Sequence, residues 1–472
     1  MTNWIPDLAD FNAPKYIAIA DAMDRDVGSG ILKPGARLPP QRELAYALKV
    51  TIGTISRAYA LAAERGLVAG EIGRGTYVLD RIEIGAKSAA WHAAETKAAS
   101  LDGSHIANAM RMDSTAAADV GQSAVIGQLV AEVFADEPRC ANDYTRAISD
   151  EWREAGSAWL ATGGWRPPLD FIVPIPGVLS GIGSVIAAIT APGDKIAFEE
   201  LTYSAIARGA TLIGRRSIKV RGGDAGLDPD DFENVCAREH PKALVLIPTL
   251  NNPTMTVMPE ENRRRIAEIA HRHNVWIIED NIYGNALDDV PPPFAAIMPE
   301  QTFHLSGVSK TLSAGLRAGW ASCPPNFASR VINAKKLMTG GISYAMTEAT
   351  ARLVLSGEAA RLKAAVLQET RAREAIAREV MAGHTFASDP HCAYIWLELP
   401  DPWLPGTYKK AALERGIVID EADVFKVGQV DRVCHRVRIA FSAIEDRKGV
   451  RYGFETLRQL LDNASAGYDG ME

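Results

Sequence analysis

The amino-acid sequence predicts an α/β protein. It has a large domain on a mostly parallel sheet with helices on both faces, a small helical head before it, and a smaller α+β domain at its C-terminal end. Three observations carry this. The runs at 171–175, 195–198, 243–247, 275–278 and 302–305 are near-continuously apolar rather than alternating, as expected of strands buried on both faces. Helical segments such as 260–273 lie between them, and that alternation builds parallel sheets. Residues 12–80 differ in texture, with short helical periods followed by a Gly-rich turn.

Within the head, Thr51 can cap a helix starting near Ile52. Ile55, Ala58, Tyr59 and Ala62 then recur at i, i+3, i+4 and i+7, which gives that helix a core face. Thr54 and Arg57 lie on its other face. A shorter helix over 41–48 precedes it across Lys49-Val50, so the pair reads as a helix-turn-helix. Gly66-Leu67-Val68-Ala69 and Thr76-Tyr77-Val78-Leu79 flank Gly73-Arg74-Gly75 and predict a hairpin with a basic tip, a wing. Arg37, Arg42, Lys49, Arg57, Arg65 and Arg74 outnumber Glu43, Glu64 and Glu71 over 37–74. Phosphate contacts require such a basic face. Spacing alone also admits a small protein-interaction domain with ordinary solvated charges.

The Ala-rich stretch 81–105 lacks a strand pattern and reads as a linker. The large domain is expected over 106–472, its smaller part from about residue 335. There Tyr394-Ile395-Trp396-Leu397 and Val437-Arg438-Ile439-Ala440 read as strands. Phe454, Leu457, Leu460 and Leu461 mark a closing amphipathic helix.

Bulk numbers bound the rest. The chain has 472 residues, enough for two or three domains, and 47% are apolar, enough for a sizeable core. The net charge of −7 gives no whole-chain signal for nucleic acid, so charge is read locally. Five scattered cysteines without a Cys-x-x-Cys pair argue against zinc and disulfides and fit a reducing cytosol. The N-terminal residues predict no signal peptide. The longest apolar stretch, 178–191, is broken by Ser and Gly and falls short of the roughly 20 residues a bilayer span needs. A cytoplasmic protein without membrane contact is expected.

Three polar clusters follow three predicted strands. Pro248-Thr249-Leu250-Asn251-Asn252-Pro253-Thr254 follows 243–247, Glu279-Asp280-Asn281-Ile282-Tyr283 follows 275–278, and Ser306-Gly307-Val308-Ser309-Lys310 follows 302–305. Open α/β sheets bind ligands at those carboxyl ends. The residue types suit pyridoxal 5'-phosphate. The Lys310 amine can form a Schiff base with its aldehyde, and Asp280 can keep the pyridine nitrogen protonated and the ring an electron sink. A tyrosine hydroxyl and an asparagine amide can both bond the phenolic oxygen, the roles the resemblance described below gives to Tyr283 and Asn252, and Tyr203 can stack on the ring. Ser309 and the Arg317 guanidinium suit the phosphate. Gly177, just before a helix starting near Val178, can set backbone N–H groups against it. Each residue alone is weak evidence; a lone Asp after a strand is more often a cap. Their joint order carries the inference.

These segments resemble known families. Ile31 through Ala45, Thr54-Ile55-Ser56-Arg57-Ala58-Tyr59, Gly66-Leu67-Val68 and Gly73-Arg74-Gly75-Thr76-Tyr77-Val78 resemble the GntR-family winged helix-turn-helix over nearly all of 14–78. That resemblance implies DNA contacts at Arg37, Arg42, Thr51, Thr54, Arg57 and Arg74. Ile52 departs from it, standing where the family usually has an arginine. Asn252-Pro253-Thr254, Asp280 to Tyr283, Ser309-Lys310-Thr311-Leu312 and Gly315-Leu316-Arg317-Ala318-Gly319 resemble fold-type I aminotransferases. With the head attached, the chain resembles the MocR branch of the GntR family. The resemblance implies the roles given above for Lys310, Asp280, Asn252, Tyr283, Tyr203, Ser309 and Arg317, and makes Arg438 the partner of a substrate carboxylate. The phosphate loop departs at Ile175-Pro176-Gly177-Val178-Leu179, which lacks the family's Thr and Gln. Gly307 and Met255 replace a Ser and a Gly. Tyr144 lies where the family has a tyrosine that reaches the partner subunit.

The expected function is a transcription regulator that binds a double-stranded DNA operator and senses an amino compound through an aldimine at Lys310, working as a homodimer. The alternatives are an aminotransferase with a secondary DNA-binding head, and a DNA-binding protein whose cofactor domain only dimerises.

Overall fold

The computed structural model describes residues 4–8, 14–33, 35–64, 67–71, 75–78, 109–223, 225–428 and 434–463. The chain divides into two compact units, 1–108 and 109–472.

In the first unit, α1 (Lys15–Gly28), α2 (Gln41–Ala47) and α3 (Ile52–Glu64) pack over an antiparallel pair, β1 (Val68–Glu71) and β2 (Gly75–Val78). Ile55, Ala58, Tyr59 and Ala62 of α3 are all buried, as the spacing requires. They share a core with Ile19 and Met23 of α1, Leu44 of α2, and Val68 and Val78 of the pair. The Tyr59 hydroxyl donates to the Pro39 carbonyl at 2.8 Å, tying α3 to the segment before α2. The wing tip with Arg74, and the expected linker 81–105, lie outside the described residues.

The second unit is built on a seven-stranded sheet in the order β4 (Ile172–Ile175), β12 (Gly319–Ser322), β11 (Thr302–Gly307), β10 (Trp276–Asp280), β9 (Ala243–Leu246), β5 (Lys195–Glu199) and β6 (Arg216–Val220). Only β12 runs against its neighbours. Side chains alternate between its faces. Ile196 and Phe198 of β5 pack with the helices Val178–Ile189 and Ala205–Leu212. Ala197 faces the other core, with Phe232 and Cys236 of helix Pro229–Glu239 and Ile266 and Ile269 of helix Glu260–Arg272. The apolar runs of the sequence became β4, β5, β9, β10 and β11. The periodicity did not reveal β12, whose Gly-Trp-Ala-Ser is short and lacks a β-branched run, or β6, whose first four residues are not buried.

A ribbon of β7 (Gly222–Gly223) and β8 (Gly226–Leu227) follows β6. The smaller sheet is antiparallel, in the order β13 (Phe386–Ala387), β14 (Tyr394–Glu398), β17 (Arg436–Ala440) and β16 (Asp420–Glu421). Helix Arg447–Asp462 closes its core with Phe454, Leu457, Leu460 and Leu461. Met112 enters the same core, and β3 (Met110–Arg111) pairs with β15 (Ile417–Val418). The first strand of this unit therefore packs with its C-terminal part, and residues 113–116, which follow it, line a cavity of the larger unit.

Candidate functional site

The strands β5, β9, β10 and β11 are neighbours in the sheet, so the loops at their carboxyl ends converge. They line a cavity of about 460 Å³ with Tyr203, Asn252, Asp280, Tyr283, Ser309, Lys310, Arg317 and Arg438. These eight come from segments up to 235 residues apart, Tyr203 to Arg438. Gly177 stands at its edge, against Arg317.

Lys310 follows β11, and its Nζ donates to Thr115 Oγ1 at 2.6 Å. Burial lowers its pKa from 10.5 to about 8, with Arg438 and Arg317 adding to the fall and Asp280 opposing it. A larger share of the amine is thus neutral, and so nucleophilic, at neutral pH than in a free lysine. Asp280 ends β10, buried, with its Oδ1 accepting from the Ile282 N–H at 3.1 Å. Burial raises its pKa to about 7, against the pull of that N–H, Lys310 and His304. A protonated ring nitrogen placed there would supply the missing counter-charge.

The buried Tyr283 Oη has Thr115 as a polar neighbour but makes no well-formed hydrogen bond among the described residues. Asn252 Oδ1 accepts from Arg438 Nη1 at 3.0 Å, which leaves its amide NH2 to donate. A buried hydroxyl without a well-formed bond and a free amide donor lining the same cavity fit a phenolic oxygen. Tyr203 presents its ring at the wall, 39% exposed.

Gly177 caps helix Val178–Ile189 at φ 92°. A Cβ there would lie 2.8 Å from Arg317 Nη2. The absence of a side chain therefore lets the guanidinium rest on the helix N-terminus, where backbone N–H groups and the helix dipole favour an anion. Ser309 lines the same cavity. These residues would hold the phosphate, although Val178 and Leu179 bring no polar side chain to it. Taken together the residues fit pyridoxal phosphate.

Arg438, on β17, is buried and donates through Nη2 to the Asp113 carbonyl at 2.9 Å and to Asp420 Oδ2. Thr115, Asp113, Arg111 and Asp420 also line the cavity, and sequence reasoning missed all four. They sit on short segments without a motif, and only tertiary pairing brings them in. Tyr144 is 82% exposed and lies away from this cavity.

On the head, Thr51 Oγ1 accepts from the Thr54 N–H at 3.2 Å and meets Thr54 Oγ1 at 2.9 Å, so Thr51 caps α3. Arg42, Thr51 and Arg57 are exposed, Thr54 is half-buried, and Ile52 is 50% exposed at the helix start. Arg37 is half-buried and bridges to Tyr77 at the base of the wing.

Fold and site together define a large domain of the aminotransferase kind behind a helix-turn-helix head. Residues 127–457 match the aminotransferase class I and II family, and residues 15–78 match the bacterial regulatory proteins of the gntR family. The chain belongs to the aminotransferase class I and II family and carries a gntR-type head. It is 28% identical to the HTH-type transcriptional regulator YdeF of Bacillus subtilis, over 98% of this chain and 97% of that one. It is 24% identical to the 2-aminoadipate transaminase of Thermus thermophilus, over 57% of this chain and 70% of the other. LysN, the α-aminoadipate aminotransferase of Thermus thermophilus solved with N-(5'-phosphopyridoxyl)-L-leucine, shares the fold. The TM-score is 0.68 at 20% identity, covering 80% of this chain and 99% of that one. Among the described residues, no helix is long and apolar enough to cross a membrane.

Proposed function

We propose that this protein is a cytoplasmic transcription regulator that binds operator DNA through its head and pyridoxal phosphate at Lys310, and that an amino compound reaching the cofactor changes its hold on DNA. One observation carries the reading: a single chain joins a gntR-type head to a cavity where Lys310, Asp280, Asn252 and Tyr283 converge. Similarity to YdeF along nearly the whole chain, head included, supports regulation over metabolism as the main role.

Pyridoxal phosphate, when bound, supplies an aldehyde that amines capture and a ring that withdraws electrons. The protein's own groups do the rest. Lys310 Nζ holds or moves a proton, with Thr115 orienting it. Asp280 holds the ring proton, Asn252 and Tyr283 fix the phenolic oxygen, and Arg317 with the Gly177 helix end and Ser309 anchors the phosphate. Arg438 lines the part of the cavity where the ligand's substituent would lie. Arg37, Arg42, Thr51, Thr54, Arg57 and Arg74 are the proposed DNA contacts. A homodimer would pair two heads on paired half-sites. Effector and DNA must then bias one shared two-state element.

The visible spectrum of purified wild type beside Lys310→Ala tests the cofactor. A band present in the first and absent in the second is expected, and its absence from wild type with added cofactor overturns this half. Operator titrations test the head. Arg57→Ala should weaken binding and lower the salt slope by about one; an unchanged slope removes Arg57 from the contacts. The complete cavity favours a second reading, an aminotransferase with a secondary head, which sustained turnover with a keto acid would establish.

A further inference from the structure

Arg438 is already committed to its own chain. Asp420 stands directly opposite it in the pairing of β16 with β17, so the strand register aims carboxylate and guanidinium at each other. Their side chains are 20% and 7% exposed, and both line the cavity. Arg438 Nη1 is held by Asn252 Oδ1 and Nη2 by the Asp113 carbonyl and Asp420. Its Cζ lies 5.3 Å from the Tyr394 ring centre and 4.8 Å from that of Phe425, which confine the plane of the fork. Nε, itself buried, has no partner among the described residues and Nη1 keeps one hydrogen, but both two-point edges of the fork need Nη2, whose two hydrogens are taken, so a carboxylate cannot bind there in two-point fashion.

The charges of the cavity lining leave no cation over. Its cations are Arg111, Lys310, Arg317 and Arg438, and its anions Asp113, Asp280 and Asp420. Arg111 Nε and Nη2 are both spent on Asp113, at 2.8 and 2.7 Å. Arg438 is spent on Asp420, Arg317 faces the helix end suited to a phosphate, and Lys310 is the site of attachment. A ligand carboxylate at Arg438 would have to expel Asp420, leaving that acid partly buried beside Asp113, where burial and the neighbouring charge already disfavour its ionised form. Stripping a buried carboxylate of its partner is costly.

We propose that Asp420 is a specificity-determining residue: it fills the carboxylate place at Arg438 from within, so that the ligand is an amine with no carboxylate there, whether alkyl, aryl or basic. This rests on the cofactor reading above and replaces the expectation that Arg438 pairs a substrate carboxylate.

The test is a titration of the full-length, cofactor-loaded protein with matched pairs differing by one carboxylate: lysine with cadaverine, phenylalanine with phenethylamine, alanine with ethylamine. The visible spectrum is the readout. Wild type should half-saturate at roughly tenfold lower concentration with the amine of each pair, and Asp420→Asn should move that ratio roughly tenfold toward the amino acid, as one charged hydrogen bond gained would. Equal or better response of wild type to the amino acids overturns the proposal, as does a ratio unchanged in a folded Asp420→Asn. Calorimetric titration of the cofactor-free protein with benzoate gives an independent arm, with binding expected only in the variant. Should no cofactor band form, the cofactor reading falls while this arm still decides: benzoate binding by wild type as tight as by the variant overturns the role of Asp420.

Discussion

Replacing Asp280 by asparagine should make the cofactor-free protein more stable at neutral pH while weakening its grip on pyridoxal phosphate. The carboxyl ends β10 in a buried position, with one backbone N–H bond from Ile282. Burial lifts its pKa from 3.8 to about 7. A folded-state pKa above the unfolded one means that the folded protein keeps a proton the unfolded chain has released. Stability therefore falls as pH rises from about 4 to about 7 and stays lowered above that. At about 1.4 kcal/mol per pH unit, the span gives an upper bound of about 4 kcal/mol. Asparagine cannot ionise and escapes this loss. The assay is thermal melting of the larger unit, followed apart from the head because two units need not melt together, at pH 5, 6, 7 and 8. The variant's advantage should be small at pH 5 and widen to several degrees by pH 8. Added pyridoxal phosphate should raise wild type more than the variant, since only Asp280 gains a pyridinium partner. Melting curves that differ by the same amount at every pH would refute the reasoning, because the carboxyl would then not carry its proton into the neutral range.

Other predictions follow from single contacts. Thr51→Ala removes the cap of α3 and should cost about 1 kcal/mol of head stability, read from the head's own melting transition and from weaker operator binding. Gly177→Ala places a Cβ 2.8 Å from Arg317 Nη2 on a backbone at φ 92°; cofactor half-saturation should rise roughly tenfold as the phosphate loses its guanidinium, and an unchanged spectral titration would place the phosphate elsewhere. The rate of cofactor capture should climb with pH, reach half its maximum near 8, where half of the Lys310 amine is neutral, and level off about one unit higher; a rate still rising steeply beyond pH 10 would mean that burial does not depress this lysine.

The legible part of the site was the part that chemistry ties to local order. Lys310, Asp280 and Asn252 each follow a strand run that the sequence marks by its apolar residues, and parallel strands deliver their carboxyl ends to one edge. Chain order alone thus gathered them, and the 3.6-residue period of α3 gave the head's core in the same way. Strand β12 escaped because its identity comes from lying between β4 and β11 rather than from its own four residues. The partner of Lys310 escaped for a related reason: Thr115 lies 195 positions away, on a segment with no motif.

By itself, then, the sequence determined the two-part architecture and marked out Lys310, Asp280, Asn252 and Tyr283, which the fold brings to one cavity, since periodicity and motif order are properties of neighbouring residues. Only the tertiary structure decided what Arg438 is free to hold. Asp420 faces it through the register of an antiparallel pair, and register is set by the packing of a whole sheet rather than by the residues that happen to meet across it.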